Sequence, residues 1–341
     1  MTLRWGIIGC GLISHDFVRA LRFAKENHKV VAAAASSLEK SQNFLTEMKI
    51  DDGKAYGDYA ELCKDENVDI VYIGLLNDAH ITWALKAMEA GKHVLSEKPM
   101  GLNEKQIKQM IDKSRETKRF LMEAVWSRFF PLWLEIKNKI HDKHLGELKV
   151  VDISFGQDLP ETRRDTTKGE TPLYDIGIYT VVLALYAFDD ERPEAVQAFG
   201  EVNDKGVDQW GNITLKFSKG RHAILYFNGN TKLLNQGTLS FEKGNITFPQ
   251  YFWSPLEYHE VRGELTPTKG EKKVCTYELP DDDSKYNFIN SAGLHFEADH
   301  AYKRIQEGEI ESDIMSHAHS LNLHETLYRI RKELGVSFPQ D

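Results

Sequence analysis

Cysteine is scarce in this 341-residue chain: Cys10, Cys63 and Cys275 lie far apart, with no C-x-x-C spacing. That excludes a disulfide framework and a thiolate zinc site, leaves no metal centre to expect, and fits a reducing compartment. Positive charge is in deficit as well, with 43 Lys and Arg against 52 Asp and Glu and a formal charge of −9. Such a surface disfavours nucleic acid and anionic membranes as partners. Long apolar runs are missing: the longest, Ile178 to Phe188, is about half of what a membrane-spanning helix needs. Strand character begins at Leu3, which leaves no room for a charged and then apolar leader, so the expected location is cytoplasmic. There is no internal repeat and no low-complexity tract. What is present is an ordinary globular mixture, 41% hydrophobic and 28% charged, in a chain long enough for two domains.

The first third alternates strand and helix patterns. "RWGIIG", "KVVAAAA", "VDIVYIGL", "HVLSEKP" and "RFLMEAV" read as short apolar strands. Between them, "LISHDFVRALRFA", "SLEKSQNFLTEM", "HITWALKAMEAG" and "NEKQIKQMIDKSRE" carry apolar residues at helical spacing. Strict alternation predicts parallel strands joined by right-handed crossovers, a doubly wound α/β sheet over residues 1–123. From 124 to 341 the pattern changes. A helix over "FPLWLEIKNKIHDKHLG" is followed by longer alternating strands separated by turns such as Ser218-Lys219-Gly220, then by two helices around 294–307 and 314–333. This predicts an α+β domain with a large, mostly antiparallel, open-faced sheet.

Gly9-Cys10-Gly11-Leu12-Ile13-Ser14 is a G-x-G-x-x-G turn with its last glycine replaced. It follows a strand and opens a helix, the setting in which such a turn binds a dinucleotide. Gly9 permits the tight turn, Gly11 lets backbone approach a pyrophosphate, and the helix start offers free N–H groups. A small Ser14 can replace a glycine whose role is close packing. At the end of the second strand, where NAD sites place an acid, stand Ser36 and Ser37 with Lys40 one turn on. No carboxylate would repel a 2′-phosphate there, so NADP is favoured over NAD. Ser36-x-x-Glu39 also reads as a capping box, which leaves Ser37 and Lys40 free to contact the cofactor.

Glu97-Lys98-Pro99 stands at the exit of a parallel strand, where open α/β sheets place their chemistry, although an ordinary surface turn has the same composition. Asp175 and Tyr179, at i and i+4, share one face of an otherwise apolar helix. They read either as a carboxylate that needs a partner on that face or as a capping Asp and a core Tyr.

Taken together, the glycine turn, Glu97-Lys98-Pro99 and the Asp-x-Gly-x-Tyr pattern resemble the Gfo/Idh/MocA oxidoreductase family. "AYGDYAEL", "EKPMG", "LMEAVWSRFFP", "DIGIY" and "GVSFPQD" are similar to its dimeric dihydrodiol dehydrogenase and D-xylose dehydrogenase branch. The resemblance implies NADP-dependent oxidation of a diol or aldose by a homodimer associating through its sheet. A sugar or dicarbonyl reductase and a non-catalytic NADP-binding regulator are the alternatives. It implies Tyr179 as acid/base, Lys98 as the cation that favours its phenolate, and Asp175 beside them. Gly9, Gly11, Leu12, Ile13, Ser36, Ser37, Lys40, Leu75, Asn77, His80, Glu97 and Lys98 are the expected cofactor residues. Trp126, Arg128, Phe155 and Phe288 come from segments that face substrate in the family. Two departures stand out: Ser36 and Lys40 replace the family's arginines, and Asn77 replaces a histidine.

Overall fold

The computed structural model describes residues 2–263, 271–281 and 285–341. They form two compact units, Met1–Phe129 with Leu279–Leu321, and Phe130–Glu278 with Asn322–Asp341.

The first unit is built on strands β1 (Leu3–Ile8), β2 (His28–Ala34), β3 (Lys54–Tyr56), β4 (Ile70–Ile73), β5 (His93–Glu97) and β6 (Leu121–Ala124). They lie in the order β3-β2-β1-β4-β5-β6, and every pairing is parallel. Helices α1 (Leu12–Ala20), α2 (Leu38–Glu47), α3 (Tyr59–Cys63), α4 (His80–Glu89) and α5 (Glu104–Thr117) are the crossovers. This is the doubly wound sheet that the alternation predicts. Its strand order reverses between β1 and β4, the point where such sheets open a crevice at their carboxyl ends. β3 and α3 were not among the expected elements; three and five residues are too short to show a period.

The second unit adds α6 (Pro131–His141), β7 (Leu148–Gly156), α7 (Ile178–Ala187), β8 (Ala195–Val202), β9 (Asp208–Lys216), β10 (His222–Asn228), β11 (Gly237–Phe241), β12 (Gly244–Phe248), β13 (Glu257–Arg262) and β14 (Glu271–Thr276). The eight strands run in the order β14-β13-β12-β11-β7-β10-β9-β8, antiparallel except for β7 with β10. All ten residues of α7 are buried, as a helix apolar all round must be. No helix among the described residues is long and apolar enough to cross a membrane.

The chain closes with α8 (His295–Gln306) and α9 (His317–Leu334). The segment 279–321, expected to belong with the second domain, packs in the first unit instead. The cause is polar. Asp299 on α8 accepts the Lys25 and Glu26 N–H groups, both at 2.9 Å, and lies 3.1 Å from His28 Nε2. Buried Asp16 accepts the Asn287 and Phe288 N–H groups at 2.9 Å, and the Leu121 N–H donates to the Ile310 carbonyl at 3.0 Å. The changeover also falls at Phe129 rather than residue 123, which leaves Trp126 and Arg128 in the first unit.

Candidate active site

The first unit gathers the expected nucleotide residues at the carboxyl ends of its strands. Gly9 has φ +89°, and an added Cβ would overlap the Gly74 carbonyl and lie 2.8 Å from Leu75 Cδ2. Only glycine fits there. Gly11 caps α1 without a side-chain bond, and an added Cβ would approach nothing nearer than the Gly74 oxygen at 3.9 Å. The space over Gly11 is therefore open, beside a helix start whose first N–H groups have no side-chain cap. That arrangement fits an anionic pyrophosphate. Leu12, 60% exposed, and the half-buried Ile13 and Leu75 line the same edge. Ser14 is fully buried.

At the end of β2 the cap is Ser37, not Ser36. Ser37 is extended (φ −152°, ψ 155°) and its Oγ accepts the Lys40 N–H at 3.4 Å. The helix starts one residue later than the capping-box reading requires, which puts Glu39 one position too early to close the box. Lys40 is not free either: its Nζ donates to Ser36 Oγ at 3.0 Å. The exposed polar pair at this strand end is therefore Ser36 with Lys40.

Lys98 is half-buried and follows β5. Its peptide is held from below, since the Lys98 N–H donates to Glu97 Oε2 at 3.2 Å and Tyr72 Oη donates to Glu97 Oε1 at 2.5 Å. His80 is fully buried, with Nδ1 2.8 Å from the Pro99 carbonyl and Nε2 3.1 Å from the Leu75 carbonyl. In either tautomer one ring N–H is taken up by a loop carbonyl. His80, expected as a cofactor contact, ties the loop after β4 to the loop that carries Lys98. Asn77, in the short turn Asn77–Ala79, and Glu97 are likewise buried.

Glu297, in the first turn of α8, was not expected at all. It is fully buried and neither carboxyl oxygen has a hydrogen-bond partner. Burial first, and the neighbouring Glu97 charge second, hold its pKa well above the usual carboxylate range. Of the residues expected to face substrate from this unit, Arg128 is fully buried and its Nη1 donates to the Ile314 carbonyl at 3.2 Å. That bond ties it to the segment before α9. Trp126 is buried too, whereas Phe288 is 40% exposed.

In the second unit, Asp175 lies in a π-helical turn, Leu173–Gly177, that runs straight into α7 and Tyr179. Tyr179 is 8% exposed. Its ring centroid lies 6.0 Å from that of Phe155 and 6.5 Å from that of Trp253, and those two stack at 4.1 Å with 12° between their planes. Phe155 was expected near substrate; Trp253, brought in by the loop after β12, had no sequence signal. No group of three or more His, Cys, Asp or Glu among the described residues could hold a metal ion.

Comparison with known proteins gives the family. Residues 3–125 match the model of an oxidoreductase family with an NAD-binding Rossmann fold, and residues 133–247 match the GFO/IDH/MocA C-terminal domain. The trans-1,2-dihydrobenzene-1,2-diol dehydrogenase of Danio rerio is 39% identical over 344 residues, covering 100% of this chain and 99% of the relative. The Homo sapiens protein of the same name is 35% identical over 344 residues, with the same coverage. Among solved structures, levoglucosan dehydrogenase in complex with NADH and levoglucosan superposes with a TM-score of 0.85 at 18% identity, covering 98% of both chains. A 3-ketoreductase from Actinomadura kijaniata in complex with NADP and TDP-benzene gives 0.81 at 22% identity, also over 98% of both. At those identities the two structures establish the fold.

Proposed function

Because this chain belongs to the Gfo/Idh/MocA oxidoreductase family, we propose that it is an NADP-dependent dehydrogenase for secondary alcohols, with trans-dihydrodiols and aldoses such as D-xylose as its substrates. The observation that carries this reading is the end-to-end similarity to trans-1,2-dihydrobenzene-1,2-diol dehydrogenases, 39% over 344 residues for the Danio rerio relative. A regulator that only binds nucleotide needs the glycine cradle but neither Lys98 nor Tyr179, and this chain keeps both.

Bound NADP⁺ supplies the hydride acceptor. The rest of the work belongs to the chain. The Gly9–Gly11 turn and the first N–H groups of α1 hold the pyrophosphate, and the Ser36–Lys40 pair holds the 2′-phosphate. Tyr179 takes the hydroxyl proton in oxidation and returns it to the carbonyl oxygen in reduction. A phenol is a weak base near neutrality, so the Lys98 cation serves to favour the phenolate, with Asp175 orienting the pair. Phe155 and Trp253 give the Tyr179 ring an apolar flank that suits the hydrocarbon part of a dihydrodiol ring.

The test is a panel of trans-dihydrodiols and aldoses with NADP⁺ and NAD⁺, and of dicarbonyls with the reduced cofactors. Turnover of a diol or aldose with NADP⁺ is expected. Dicarbonyl reduction alone would reassign the enzyme as a reductase, and no turnover in any arm would leave it a nucleotide-binding regulator.

A further inference from the structure

The turn that carries Asp175 is held at its first peptide by a residue from another part of the second unit. Asp208, the first residue of β9, is fully buried, and its Oδ1 accepts the Leu173 N–H at 2.7 Å. Leu173 opens the π-helical turn, Asp175 is two residues on, and Tyr179 follows in α7. A π-helical turn is a rare, weakly favoured conformation, so it persists where surrounding contacts hold it. Several of the contacts that hold it are identifiable. The Asp175 N–H donates to the Thr171 carbonyl at 2.8 Å, and Thr180 Oγ1 donates to the Gly177 carbonyl at 2.8 Å. Gly177 lies so close to β10 that an added Cβ would come within 3.1 Å of the Phe227 ring. Arg331 Nε donates to Tyr174 Oη at 3.2 Å, and its guanidinium is gripped by both Asp341 oxygens at 2.9 and 2.7 Å. Among these holds, Asp208 is a buried carboxylate bonded directly to the backbone of the turn.

We propose that Asp208 is a positioning residue of the reaction, its carboxylate fixing the start of the turn that presents Asp175 and Tyr179. This rests on the assignment of proton transfer to Tyr179 made above. The charged and titratable groups around Asp208 include Arg331 from α9, Tyr174 from the turn itself and Asp341 bonded to Arg331; Arg164 binds the adjacent Gln209 at 2.8 Å. Burial pushes the Asp208 carboxyl up to about 6, against the pull of the Leu173 N–H and the Arg331 charge. A neutral carboxyl accepts a hydrogen bond more weakly than a carboxylate. The hold therefore loosens as pH falls through that value.

Asp208→Asn keeps an oxygen to accept the Leu173 N–H and cannot titrate. The ratio of parental to variant kcat, followed from about pH 5 to pH 8, cancels every titration that the two proteins share. It is expected to be level above about pH 7 and to fall severalfold through pH 6, with equal KM for NADP⁺. Hydrogen exchange of peptides covering 171–180 is read without substrate at about pH 5.5 and 7.5, corrected for intrinsic exchange. Protection should drop at the lower pH in the parent and stay constant in the variant. A flat ratio in an active enzyme, or parental protection that ignores pH, overturns the proposal. The exchange arm needs no turnover, and its parental half needs no folded variant. Failure of the functional reading, seen as no turnover or as Tyr179→Phe with parental kcat, is thus distinguished from failure of this one.

Discussion

Ser14 and Gly74 are a matched pair: an added Cβ at Gly74 would overlap Ser14 Oγ. Dinucleotide turns use a third glycine so that the first helix can lie close to the sheet. In this chain the helix carries Ser14 and the missing space is supplied at the end of β4. Gly74→Ala should therefore destabilise the protein by about 1–3 kcal/mol, the usual range for an overpacked core. Ser14→Gly on that background should recover most of the loss. Denaturant unfolding of the two single variants and the double variant checks this, and strict additivity of the three would refute the pairing.

Cofactor choice follows from the end of β2. With Ser36 and Lys40 bonded to each other and no acid present, NADP⁺ should bind more tightly than NAD⁺. Ser36→Asp should reverse the order by placing a carboxylate against the 2′-phosphate. Calorimetric titration of both cofactors into both proteins decides it; tighter NAD⁺ binding by the parent would falsify the assignment.

Tyr179→Phe keeps the ring against Phe155 and Trp253 and removes the hydroxyl. Fold and cofactor affinity should survive while kcat falls by roughly 10²–10⁴, the usual share of general acid–base catalysis. Lys98→Met should keep residual activity that needs higher pH, with the loss in kcat more than in KM. The measurement is a pair of pH–rate profiles beside the parent. A near-parental Tyr179→Phe with an inactive Lys98→Met would transfer the proton-carrying role to the lysine.

Glu297 gives a stability prediction with a definite sign. Its folded pKa is raised above the unfolded value of about 4.3. Once pH exceeds about 4.3 the unfolded chain has lost a proton that the folded chain keeps, so stability declines as pH climbs toward the folded value. Glu297→Gln lacks that titration. The variant should gain on the parent as pH rises from about 4 to 7, and thermal denaturation across that range tests it. A gap independent of pH would mean that Glu297 is ionised in the fold.

One face of the second unit's sheet predicts association. Register places Gln197, Thr214, Ile224, Asp152, Thr238, Thr247, His259 and Val274 in one cross-strand row. Phe199, Trp210 and Tyr226 lie on the same face, with Phe199 72% exposed, Ile224 45% and Val274 51%. Exposed apolar side chains set among short polar ones on an open sheet face mark a candidate interaction surface, and a two-fold dimer would cover it with a second copy of itself. Light scattering should give a dimer at micromolar concentration, and Phe199→Glu should shift it toward monomer. A parental monomer would rule the dimer out.

The legible parts of the molecule were those written in short-range pattern. Apolar strands between helical periods gave the first sheet, and alternation gave the second. The glycine turn was readable because its function is local backbone geometry. The Ser37 cap was misplaced by one residue because two adjacent serines offer the same chemistry and only the backbone angles choose between them. Trp253 beside Tyr179, and His80 between two loop carbonyls, are products of tertiary packing that no spacing along the chain encodes. Return of residues 279–321 to the first unit depends on carboxylates capping distant amides, and an isolated Asp16 or Asp299 carries no mark of its partner.

That return has a consequence for how the protein is made. The first 129 residues hold every strand of the parallel sheet, yet the amides of Lys25, Glu26 and Leu121 are met by groups beyond residue 298. At about 5–20 residues per second of synthesis, the nucleotide half waits many seconds for its last piece. During that wait the partner surface of α8 is uncovered and open to chaperones. A fragment ending at residue 129 should therefore be insoluble or molten. Joining 279–321 to it through a short linker should yield a cooperative, cofactor-binding miniature of the enzyme.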